Sequence, residues 1–179
     1  MRQGDESAFA ELFARHRTAV FRYAAHMGQA GAADDIVQEV FLALLRQLPR
    51  IDPSLGTLQA YLLGIARRLA FKDMAHAHAT GSLDEDEQAP ALESPDASPF
   101  DDLSRAELVA GVRAAIATLP PVYREAIVLC ELNEVDYATA AAVMECPIGT
   151  VRSRLHRARA LLAARLTAIR PGALTGNER

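Results

Sequence analysis

A chain of 179 residues has room for one ordinary domain or two small ones. Half of the residues are hydrophobic, yet only 6% are aromatic and none is Trp, so the core must be built mainly from Ala, Leu, Val and Ile, a composition suited to helices. The net charge of −4 argues against a chain that is basic throughout, and there is neither an apolar run long enough to span a bilayer nor a cleavable secretion signal, so the expected location is the cytosol.

In chain order, Phe9, Leu12, Phe13, Val20 and Phe21 recur near helical spacing between Ser7 and Tyr23, with Gly4 and Asp5 as a start signal. They predict a first helix, which the segment Gly28 to Gly31 ends. Ile36, Val37, Val40, Phe41, Leu44 and Leu48 then fall three and four apart and predict an amphipathic helix from Ala33 to Leu48. If that apolar stripe faces inward, Asp35, Gln38, Glu39, Leu42 and Arg46 share another face. Acids, an amide and an exposed leucine suit docking against another protein's helices, although an ordinary solvated face is the plainer alternative. Pro49 to Gly56 reads as a loop, and a helical pattern resumes from Leu58 to Met74, carrying a small basic cluster of Arg67, Arg68 and Lys72 that could hold a nucleic-acid backbone.

From Thr80 to Asp102 stand Asp84, Glu85, Asp86, Glu87, Glu93, Asp96, Asp101 and Asp102, interrupted by Pro90, Pro95 and Pro99. So polar and proline-broken a stretch predicts a flexible acidic linker, either a solvated spacer or one with a job of its own. Leu108, Val109, Val112, Ala115, Ile116 and Leu119 then predict a helix that closes at Pro120, and Pro121 opens another running to about Leu132. Asp136 is a good N-cap for a short helix, Tyr137 to Met144. Glu145 to Pro147 make a tight turn, and a longer helix runs to Ile169 before Pro171 and Gly172 stop it.

A short helix, a turn and a second helix dense in arginine form the helix-turn-helix arrangement, whose second helix enters the major groove of DNA. Stepping about 100° per residue puts Val151, Leu155, Ala158 and Leu162 against the domain. Gly149, Ser153, His156 and Arg157 then face outward, flanked by Thr150 and Arg152, so that arginines on a face of small polar residues can reach guanine edges. Arg159 and Arg165 are better disposed towards phosphates. The alternative is an arginine-rich solvated helix. Against it, no acidic residue occurs between Cys146 and Asn177 to balance the charge.

Other chemistries find little support. Cys130 and Cys146 lack the spacing of a zinc or redox pair, and His16, His26, His76, His78 and His156 show no metal-ligand spacing with carboxylates. There is no phosphate-binding glycine loop and no nucleophile motif, which argues against an enzyme.

The motifs also resemble a family. Leu119-Pro120-Pro121 with Tyr123-Arg124-Glu125, then Tyr137 to Ala141, then Cys146 to Arg159 (CPIGTVRSRLHRAR) look like region 4 of the extracytoplasmic-function (ECF) sigma factors. Gly4 to Phe9 and Asp34 to Phe41 (DDIVQEVF) resemble their region 2, and Ala60-Tyr61-Leu62 with Ile65-Ala66-Arg67 resembles the helix that handles the minus-10 promoter element. Tyr61 stands where that family usually has Trp, and Arg68 where it has Asn.

The resemblance implies an all-α fold of two small helical domains: region 2 over residues 1–78, an acidic linker over 79–104, region 4 over 105–170 and a tail over 171–179. It implies that Asp35, Gln38, Glu39, Leu42 and Arg46 bind core RNA polymerase. Arg50, Asp52, Ser54, Tyr61, Arg67, Arg68 and Lys72 would meet minus-10 DNA, and the loop from Arg50 would capture a flipped base. Gly149, Thr150, Arg152, Ser153, Arg154, His156, Arg157 and Arg159 would meet minus-35 DNA. Promoter DNA, core polymerase and an anti-sigma factor are the expected partners, with no cofactor, metal or small-molecule substrate. A free-standing helix-turn-helix regulator is the second reading, and predicts a ligand pocket or dimer surface in residues 1–75 and a palindromic operator.

Overall fold

The computed structural model describes residues 6–28, 31–48, 51–52, 54, 56–80 and 99–169, with side chains described for all of these except 76–80, 99–107 and 168–169. They form α1 (Glu6–Met27), α2 (Ala33–Gln47), α3 (Leu58–Thr80), α4 (Pro99–Ala117), α5 (Pro121–Ile127), a π-helical turn (Val128–Leu132), α6 (Tyr137–Met144) and α7 (Ile148–Ile169). No strand occurs among the described residues, and the all-α expectation holds.

In the N-terminal half, α1, α2 and α3 pack on one another. Val20, Tyr23, Ala24 and Met27 of α1 meet Ile36, Val37, Val40 and Leu44 of α2 and Leu62, Leu63 and Ala66 of α3, all buried. Spacings of three and four align these side chains in one stripe per helix, and each large aliphatic so removed from water contributes about 1.5 to 3 kcal/mol. At one end Phe41 closes the stack, its ring centroid 4.6 Å from that of Phe13 and edge-on to Phe9 at 6.3 Å. The α1–α2 connection needs glycine twice. A Cβ on Gly28 would sit 2.8 Å from the Ala24 carbonyl oxygen, and Gly31 has φ 81°.

In the C-terminal half, Pro121 starts α5 at the position where its missing N–H costs nothing. The helix expected to run on to Leu132 instead widens at Val128, where Asn133 N–H donates to the Val128 carbonyl at 3.0 Å, a five-residue step. Asp136 caps α6 as expected, its Oδ1 accepting from the backbone N–H of Ala138 and of Thr139, each at 2.9 Å. These bonds to the ionised form hold its carboxyl below the usual range, and such a cap contributes about 1 kcal/mol. The turn into α7 is made by Glu145, left-handed at φ 53°.

Three expectations change. Helix α3 runs past Met74 to Thr80. Helix α4 begins at Pro99, within the stretch expected to be linker, because a proline at the first turn followed by Asp101 and Asp102 suits a helix N-terminus as well as it suits a spacer. Residues 81–98, with most of the acidic run, lie outside the described residues. Third, the two halves, whose relative placement the sequence leaves open, are docked: α3 packs on α6, α1 packs on the π-helical turn and α5, and the buried apolar residues of both halves form one continuous cluster.

Candidate polymerase and promoter interfaces

The outer face of α2 is assembled as its period requires. Asp35, Gln38, Glu39 and Arg46 are exposed, opposite buried Ile36, Val40 and Leu44. Leu42 departs from expectation: it is half-buried, and with Phe9, Phe13, Phe41 and Leu45 it lines a groove between α1 and α2. The exposed leucine is Leu45, 44% accessible, which the sequence reading missed. Asp35 and Glu39 border a second groove, shared with Leu69 and Lys72 of α3. The face is therefore a mixed acidic and apolar surface between two shallow grooves, suited to a helical partner.

Of the residues expected at minus-10 DNA, Arg50 lies outside the described residues. Asp52 is exposed, and its Oδ1 accepts from the Ser54 N–H at 2.9 Å, which holds its carboxyl low and fixes the loop before α3. The Tyr61 hydroxyl donates to Gln47 Oε1 at 2.8 Å, tying the start of α3 to the end of α2. Arg68 and Lys72 are exposed. Arg67 stands apart from them. Its Nε donates to Glu125 Oε1 at 2.8 Å, its guanidinium lies 3.6 Å from the Glu145 carboxylate, and it stacks over the Phe71 ring at 5.1 Å. The expected basic track thus has two open cations and one enclosed one.

The second helix of the helix-turn-helix behaves as its wheel predicts. Val151, Leu155 and Ala158 are fully buried and Leu162 is half-buried, while Gly149, Arg152, Ser153, His156 and Arg157 are exposed. Thr150 is half-buried, its carbonyl accepting from the Ser153 hydroxyl at 2.9 Å. Arg154 turns inward, half-buried near the Cys146 sulfur. Arg152 lies over the ring of exposed Tyr137, 5.7 Å from its centroid, a cation–π contact that restricts where the guanidinium points. Arg159 is not a free phosphate ligand, because Glu131 of the π-helical turn accepts from its Nε at 3.0 Å and from its NH2. The helix lacks acids of its own, but a neighbouring element supplies one 28 residues away.

Comparison with known proteins accounts for this arrangement. The chain matches the family described as Sigma-70 region 2 over residues 12–78 and that described as Sigma-70, region 4 over residues 110–162. It is 35% identical over 147 residues to the ECF RNA polymerase sigma factor SigC of Mycobacterium tuberculosis (strain CDC 1551 / Oshkosh), covering 81% of this chain and 76% of that one. To the ECF RNA polymerase sigma-E factor of Escherichia coli (strain K12) it is 32% identical over 170 residues, 89% of this chain and 86% of that one. The chain belongs to the ECF sigma factors.

Solved sigma-factor structures share the fold. CnrH, solved in complex with the cytosolic domain of CnrY, superposes with a TM-score of 0.66 at 28% identity, over 92% of this chain and 91% of that one. RpoE of Bartonella quintana, solved with the anti-sigma factor NepR, gives 0.72 at 23% identity, over 92% and 99%. Among the described residues of this sigma factor there is no cluster of ligands for a metal ion, and no helix is long and apolar enough to cross a membrane. The residues that sequence reasoning missed are Tyr137, Glu131, Glu125 and Glu145. Each acts on an arginine from a distant point in the chain, and nothing in local spacing marks it.

Proposed function

We propose that residues 1–78 and 105–170 divide promoter recognition between them. The outer face of α2, with Asp35, Gln38, Glu39, Leu42 and Arg46, docks on core RNA polymerase. The loop around Asp52 and Ser54, with Arg50 and with Tyr61, Arg67, Arg68 and Lys72 of α3, receives and helps to unpair the minus-10 element. Gly149, Thr150, Arg152, Ser153, His156 and Arg157 read the minus-35 element, with Arg154 and Arg159 supporting the helix more than touching bases. The observation that carries this reading is the exposed strip of small polar and arginine side chains on α7, backed by a fully buried apolar face.

The protein works in the cytoplasm as a specificity factor for the polymerase and catalyses no reaction itself. An anti-sigma factor is the expected further partner, as the solved complex of RpoE with the anti-sigma factor NepR illustrates.

The test is run-off transcription with purified sigma-free bacterial core polymerase and a pool of genomic promoter fragments. Specific start sites are expected, and Asp35→Ala with Gln38→Ala should abolish them by removing binding to core. Absence of transcripts and of core binding, with duplex binding retained by the chain alone, would favour the free-standing regulator instead.

A further inference from the structure

Side-chain hydrogen bonds order the connection between α2 and α3. In its middle Asp52 Oδ1 accepts from the Ser54 N–H, and at its far end Thr57 Oγ1 accepts from the Ala60 N–H at 3.1 Å, in the manner of an N-cap. Another bond crosses its base: the Tyr61 hydroxyl, in the first turn of α3, donates to Oε1 of Gln47, the last residue of α2, at 2.8 Å. Gln47 is exposed and Tyr61 half-buried, so this bond replaces bonds to water and adds little to the stability of the fold. What it adds is direction. The Tyr61 ring packs against the apolar core, and with its hydroxyl held by Gln47 the side chain is fixed at both ends.

We propose that Gln47 is a positioning residue for promoter melting: by holding the Tyr61 hydroxyl across the base of the α2–α3 connection, it fixes the tyrosine ring and the flanks of the loop in the geometry that receives the unpaired minus-10 strand. The proposal rests on the assignment of Asp52, Ser54 and Tyr61 to the minus-10 element. Gln47 itself touches no base. A displaced base binds best to a surface already in place, because ordering a loop and an aromatic side chain at the moment of capture subtracts from the free energy of stacking. Initial contact with duplex DNA, through the outward face of α7, does not use this geometry. Loss of the bond therefore acts on the unpairing step and leaves the first encounter alone.

The experiment uses holoenzyme assembled from the full chain and purified bacterial core polymerase, on a promoter found by run-off transcription. 2-Aminopurine in the minus-10 element reports unpairing, and the dependence of its rate on holoenzyme concentration separates initial binding from isomerisation. Gln47→Leu should slow isomerisation by about twofold to tenfold, the contribution of one hydrogen bond between neutral side chains, with initial binding, core affinity and melting temperature unchanged. Tyr61→Phe, which keeps the ring and loses only the hydroxyl, should slow it equally. The double variant should be no slower than either single one, because both substitutions remove the same bond.

Unchanged isomerisation in Gln47→Leu overturns the proposal, and so does an additive loss in the double variant, which would give the two residues separate duties. A parallel fall in melting temperature, core affinity and isomerisation would reduce the bond to a structural support and overturn it as well. Tyr61→Ala separates this inference from the assignment beneath it. If that variant melts the promoter normally, Tyr61 does not serve the minus-10 element and both fall. If it slows isomerisation while Gln47→Leu does not, the assignment stands and Gln47 has no part in it.

Discussion

Two arginines on two helices mark the contrast between the halves of the molecule. Arg67 of α3 is 22% exposed and lies between a phenylalanine ring of its own helix and two carboxylates of the opposite domain. Arg157 of α7 is exposed and, among the described residues, has no ion-pair partner. Both lie on helices assigned to DNA, and both carry the same charge. The difference teaches that a count of basic residues measures DNA-binding capacity poorly. A guanidinium already paired to a buried carboxylate must give up that pair before a phosphate gains anything, whereas an exposed one gives up only water.

The largest effect should come from the open side. Arg157→Ala should weaken binding of the holoenzyme to duplex minus-35 DNA by about 1 to 3 kcal/mol, tenfold or more, with an unchanged melting temperature, as measured by anisotropy on a promoter found by run-off transcription. An unchanged affinity would erase the contrast, leaving α7 as an ordinary solvated helix.

A second, smaller effect probes the closed side through pH. His26 sits against three guanidiniums, Arg113 of α4, Arg124 of α5 and Arg22 of its own helix. Burial foremost, and these charges after it, lower its pKa from 6.5 to about 4. The docked chain therefore binds fewer protons than an undocked one between those values, so docking is at full strength above about pH 6.5 and weakens as pH falls towards 4. Allowing for its partial exposure, the loss should be about 1 to 2 kcal/mol. Scattering from pH 7.5 down to 5 should show expansion that His26→Gln reduces, and a radius independent of pH would remove His26 from the seam.

The smallest effect is expected at Glu145, where a non-glycine residue occupies a left-handed helix end. Glu145→Gly should stabilise the C-terminal domain by about 0.5 to 1 kcal/mol, seen as a higher melting temperature, while removing one of the two carboxylates facing Arg67. A lower melting temperature would mean that the Glu145–Arg67 contact outweighs the backbone strain.

What was legible in the sequence was what is local. The stripe from Ile36 to Leu44, the Asp136 cap and the buried row of Val151, Leu155 and Ala158 all follow from spacing, and the structure keeps them. The exposed positions of Asp35, Gln38, Ser153 and Arg157 follow from the same periods. The π-helical turn was not legible, because it ends its helix at Leu132 and too few residues follow it to reveal a shifted apolar pattern. Nor was the loss of Arg159 to Glu131, 28 positions away, or of Arg67 to Glu125, 58 positions away. Such pairs are decided by how domains meet, and periodicity is silent on that. Leu42 and Leu45 show the limit within one helix: the wheel brings both near the edge of the apolar stripe, both line the groove between α1 and α2, and only the packing of the two helices leaves Leu45 the more exposed.

Because Arg67 and Glu125 belong to one chain, their association is a unimolecular event, and its extent does not depend on how much protein the cell makes. Dilution does not open it, and overproduction does not saturate it. A repressor in trans can be titrated away, but a covalently joined domain presents itself at a fixed effective concentration, set by the connection between α3 and α4. A partner that needs the halves apart must therefore offset a fixed closure free energy, by its affinity and its concentration together, and a change in the length of that connection would reset the threshold without touching a single interface residue.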